Sequence, residues 1–77
     1  MKGRNNFTTM EIAELEQLIV LRNKTAPSGQ KAIRQKIRNI GFYSKDDWGI
    51  TDLQLGDLQL LIKSGRIKII EDNYKPS

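Results

Sequence analysis

Lys31, Arg34 and Arg38 follow one another at spacings of three and four, the period that lines side chains along one face of an α-helix. Lys36 stands to one side, and Gln30, Gln35 and Asn39 lie among the four cations. The chemistry open to such a row is electrostatic. Ammonium and guanidinium groups bind phosphate oxygens, and amides at a groove touch base edges. Lys31, Arg34, Lys36 and Arg38 are therefore the expected nucleic-acid-binding residues. An ordinary solvated helix face carries the same pattern.

Other chemistries find little to work with. There is no histidine and no cysteine, which removes the commonest general base, the commonest metal ligands and any disulfide. Ser28, Ser44 and Ser64 thus have no histidine to activate them. Asp46 and Asp47 are neighbours in sequence. In an extended segment they would point to opposite sides, so they read as a turn or a cap and not as an acid/base pair. Asp52 and Asp57 read as helix caps. Gly41 and Gly49, like Gly29-Gln30-Lys31, lack the spacing of a phosphate-binding glycine loop. The expectation is a protein that is not an enzyme and uses neither cofactor nor metal. Phe42, Tyr43 and Trp48 could stack on bases, but Phe42 and Trp48 are better read as core residues that seal the ends of the helices.

The elements that must carry these residues can be read in order. Thr8 and Glu11 stand at capping-box spacing, with Phe7 and Ile12 flanking them. A helix is predicted from Thr9 to Lys24, with the stripe Ile12, Leu15 and Ile19 facing the core. Thr25 to Gly29 forms a break. A second helix runs from about Ser28 to Ile40, with Ile33, Ile37 and Ile40 inward and the basic row outward. Gly41 is placed to end it in a left-handed cap, with Phe42 folding back on Ile37. Residues 42–50 read as extended and aromatic. A third helix runs from Asp52 or Leu55 to Ser64, capped by Thr51 with Gln54 three residues on, and Gly65 stops it. Arg66-Ile67-Lys68-Ile69-Ile70 alternates like a short strand. The fold class expected is mainly α (α+β): three helices, with a two-stranded element joining the aromatic segment to residues 66–70. The breaks differ in length from those of a standard helix-turn-helix, so a winged-helix-like variant, with residues 66–70 in the wing, is the form in which that fold could occur.

The 77 residues allow one domain and one core. The expected ordered part is about residues 7–71, with the first seven and last five residues frayed. Net charge is +4 and the sequence pI about 9.6. Residues 25–41 hold four basic side chains and no acidic one, so the basicity is local and points to an anionic partner. The amino terminus has no apolar run of a secretory signal, and Leu18-Ile19-Val20-Leu21 is far too short to span a bilayer. A cytoplasmic protein without membrane contact is expected. Val20 and Leu21 fall outside the first helix's stripe, and Leu53 and Leu60 outside the third's. These four are the expected interaction surface, for a homodimer or another protein, because a partner subunit is the remaining support for so small a core.

Ile37-Arg38-Asn39-Ile40-Gly41-Phe42-Tyr43, then Asp47-Trp48-Gly49-Ile50, then Leu61-Ile62-Lys63-Ser64-Gly65-Arg66-Ile67 form a pattern over roughly residues 7–70. It resembles a set of short uncharacterised proteins from Bacteroides-type bacteria. The resemblance implies a stand-alone small bacterial protein and brings no catalytic residue with it. On the residues alone, the expected function is a small protein–protein interaction module. The alternative is a nucleic-acid-binding accessory protein that uses the basic face of the second helix.

Overall fold

The computed structural model describes residues 1–70, in the order β1 (Asn6–Thr8), α1 (Thr9–Lys24), α2 (Pro27–Ile40), α3 (Ser44–Trp48), α4 (Leu55–Lys63) and β2 (Lys68–Ile70). This is the expected mainly helical class with a small two-stranded sheet. One more short helix is present than the sequence suggests.

Thr8 starts α1 by a reciprocal pair of hydrogen bonds. The Glu11 backbone N–H donates to the Thr8 hydroxyl at 3.1 Å, and the Thr8 N–H donates to the Glu11 carboxylate at 2.9 Å, which satisfies two donors that a helix start leaves open. Ile12, Leu15 and Ile19 are buried, and Arg22 continues their stripe into the interior. At the far end the Thr25 hydroxyl donates to the Leu21 carbonyl, and the Gln30 amide donates to the carbonyls of Arg22 and Thr25. Only residues 25–26 separate α1 from α2, a shorter break than expected. Pro27 takes the first helical position, where its missing N–H costs nothing and its fixed φ fits.

Helix α2 buries Ile33 and Ile37 and ends as the sequence predicts. Gly41 has φ 112° and its N–H donates to the Arg38 carbonyl, while the Phe42 N–H reaches the Ile37 carbonyl. Phe42 is thereby turned fully into the core, where its ring meets Phe7 edge-on at 6.1 Å between centroids. Leu58, Leu61 and Ile67 complete this core from the C-terminal half.

The segment after Gly41 departs from the expected extended form. Residues 44–48 close one helical turn, ended by Gly49 at φ 70° with its N–H on the Lys45 carbonyl. The turn satisfies backbone groups locally, so this segment makes no strand. Its expected pairing with residues 66–70 is replaced by a parallel pairing of β2 with β1, in the register Asn6–Lys68, Phe7–Ile69 and Thr8–Ile70. The winged-helix variant falls with it, because a parallel pair cannot be a wing hairpin.

Hydrogen bonds join the amino-terminal residues to the turn after α2 and to α3. The N–H groups of Lys2 and Gly3 donate to the Asp47 carboxylate at 2.6 and 2.7 Å, and the Arg4 N–H donates to the Gly41 carbonyl at 2.8 Å. A Cβ on Gly3 would collide with the Gly41 carbonyl oxygen, so glycine allows this approach. The Arg4 guanidinium grips Glu11 with two hydrogen bonds of 2.9 and 3.0 Å, donates to the Ile40 carbonyl, and lies 4.9 Å from the Phe7 ring centroid. Those bonds from Arg4, with that of the Thr8 backbone, hold the Glu11 carboxyl at about 2, below its ordinary 4.5. The expected fraying of residues 73–77 lies outside the described residues.

Helix α4 starts at Leu55 by a capping box shifted three residues from the expected one, with Gln54 as the cap and Asp57 as its partner. Gly56 consequently sits in the first turn, where it weakens the helix less than in an interior. Gly65, just past the helix, has the expected positive φ, 84°.

Candidate nucleic-acid interface

The amphipathic cut of α2 determines where its charges go. Ile33 and Ile37 face inward, and Lys31, Arg34, Lys36 and Arg38 are all exposed. Arg34 and Arg38 are one turn apart on the same flank. Lys36 stands roughly 160° around the helix from Arg34, and neither it nor Lys31 borders the recess described next. The row is therefore split by the fold. Arg34 and Arg38 share a site, and Lys31 and Lys36 remain on the open surface.

Arg34 and Arg38 border a recess of about 40 Å3 between α2, α3 and residues 51–53. Its apolar wall is made by Ile37, Phe42 and Leu53, and hydroxyl-bearing Tyr43, Ser44 and Thr51 stand around it. Lys45 adds a third cation from α3, and Arg22 a fourth from α1. The four cations are not equivalent. The Arg22 side chain is only 10% exposed and is engaged by the Leu53 carbonyl, by Asn23 and by Asp52 at 3.5 Å. Asp46 also borders the recess, with the Lys2 ammonium 3.6 Å away. Arg34, Arg38 and Lys45 have no acidic partner among the described residues. An arrangement of this kind attracts an anion, and the apolar wall keeps water from fully screening it.

The sequence pattern missed Arg22, Ser44 and Lys45 and offered Tyr43 only as a base-stacking aromatic. Two signals point to them. Arg22 falls on the same three-four spacing as Ile12, Leu15 and Ile19, which marks a charge carried inward. A left-handed cap at Gly41 with Phe42 folded back returns residues 43–45 beside the last turn of α2.

The expected apolar surface is only partly present. Val20 and Leu21 are exposed on an open shelf of α1 with Ala13, Glu16, Gln17 and Lys24. Leu60 is 63% exposed on α4 but does not border that shelf. Leu53 is 4% exposed and does not belong to the surface. The bolt from Arg22 to its carbonyl draws residue 53 inward, ahead of the helix on which its spacing had been counted.

No protein-family model matches the chain, and neither a curated protein nor a solved structure does. Among the described residues no helix is long and apolar enough to cross a membrane, and no three His, Cys, Asp or Glu side chains gather in a group that could hold a metal ion. The described residues form a small, mainly helical domain with a two-stranded sheet and a recess bordered by cations.

Proposed function

We propose that the protein binds nucleic acid through its phosphates, using the basic face of α2 as a binding protein and not as an enzyme, in the cytoplasm. The observation that carries this reading is the convergence of three unpaired cations, Arg34, Arg38 and Lys45, on one recess. Lys31 and Lys36 extend the positive field on either side and steer an anionic strand toward it. No cofactor or metal enters the reading.

Fluorescence anisotropy with labelled duplex DNA and RNA tests it. Three phosphate contacts release counterions with a log–log salt slope of about −2.7 for duplex DNA, so affinity falls roughly sixfold for each doubling of salt. Charge reversal at both arginines, R34E with R38E, removes binding while circular dichroism stays unchanged. Binding that ignores salt, or none at micromolar protein in low salt, refutes the proposal.

A second reading, contact with protein including a second copy of this chain, is favoured by the Val20 and Leu21 shelf. Sedimentation equilibrium from micromolar to millimolar protein checks it: a concentration-dependent mass that L21E abolishes supports self-association, and a constant monomer mass removes it.

A further inference from the structure

Resting on the nucleic-acid reading, we infer that the recess beside Arg34, Arg38 and Lys45 receives the terminal phosphomonoester of a nucleic-acid strand. Size is the first argument. A bound water needs about 10–15 Å3 of such space. The recess, at about 40 Å3, is small and accommodates a few oxygen-sized atoms. An internal phosphodiester is flanked by sugar on both sides and presents two free oxygens. A terminal phosphate presents three oxygens and carries about −1.5 to −2 charges near neutral pH, so it can enter from its free end.

Charge is the second argument. The three unpaired cations come from two elements that meet at the Gly41 turn, Arg34 and Arg38 from α2 and Lys45 from α3. They therefore border one recess from two elements, where a groove that follows a backbone would spread its cations along its length. The remaining charges at the recess have partners in the fold: Asp46 has Lys2, and Arg22 has the Leu53 carbonyl and Asp52. Guanidinium forks suit the planar pairs of oxygens that a phosphate presents. The half-buried Tyr43 also borders the recess, and its ring carries the Lys2 ammonium 5.8 Å from the centroid.

The test uses three labelled single-stranded oligonucleotides of one sequence, with a 5′-phosphate, a 3′-phosphate or neither. One phosphorylated end binds about tenfold tighter than the unphosphorylated strand, as a charge-assisted contact of ordinary strength requires. K45Q weakens binding of every strand and removes the preference among them, whereas K36Q, outside the recess, leaves the preference intact. Equal affinity for all three strands overturns the inference while the backbone reading stands. A preference undiminished in K45Q overturns the assignment to this recess. Absence of binding by every strand overturns the nucleic-acid reading and the inference with it.

Discussion

Replacing Glu11 by Gln removes one charge from the junction of the amino-terminal residues, α1 and the end of α2, and keeps an oxygen for the Thr8 N–H. The carboxylate accepts two hydrogen bonds from Arg4 and one from the Thr8 backbone. Those bonds hold it at about 2, against an ordinary 4.5. At about 1.4 kcal/mol per pKa unit, this difference corresponds to about 3 kcal/mol of linkage at most. The Arg4 and Glu11 side chains are 41% and 30% exposed, so solvent screening reduces the effect to about 1–2 kcal/mol. A carboxyl depressed in the folded state stabilises the fold above its unfolded pKa and ceases to do so as pH falls through its folded one. E11Q is therefore less stable than the parent by about 1–2 kcal/mol near pH 7, and the gap shrinks below about pH 4.5 and nearly closes near pH 2. Urea denaturation followed by the fluorescence of Trp48, the single tryptophan, measures it. The other carboxylates are common to both proteins and cancel in the difference. A gap of the same size near pH 7 and near pH 2.5 would refute the reasoning, as would no gap at all.

Leu53→Ala should cost about 2–4 kcal/mol, because the side chain is 4% exposed in the core. Leu60→Ala, at 63% exposure, should stay within about 0.5 kcal/mol, and equal losses at the two positions in chemical denaturation would contradict the placement of Leu53. Gly41→Ala should destabilise by about 1–2 kcal/mol, since φ is 112° and the new Cβ would stand 2.6 Å from Arg4 Cδ. A variant as stable as the parent in the same assay would contradict that cap. Removing residues 1–5 should lower the melting temperature through loss of the Arg4 and Asp47 contacts, and an unchanged thermal transition would show that those contacts contribute nothing.

Local signals in the sequence determined the two long helices, their inward stripes, the Thr8 cap and the turn at Gly41. Each rests on residues within a few positions of one another, where spacing alone decides which groups meet. The basic row on α2 was legible for the same reason. Tertiary structure decided what lies far apart in the chain. Parallel pairing joins residues 6–8 to 68–70, and a three-residue strand carries too little pattern to name its partner. The Asp46-Asp47 pair reads as a turn, yet Asp47 holds the backbone of Lys2 and Gly3 from 45 and 44 residues away. Leu53 looked like surplus apolar surface while it was counted on a helix, and the buried Arg22 drew it inward. The recess itself is a product of this level: Arg34 and Arg38 were visible as a row, but Lys45 joins them because the Gly41 turn and the α3 helix fold it back beside them, and Arg22 because α1 packs on α2. Periodicity reports which face a residue occupies on its own element, whereas a site is made where elements meet, and that depends on packing free energy summed over the whole core.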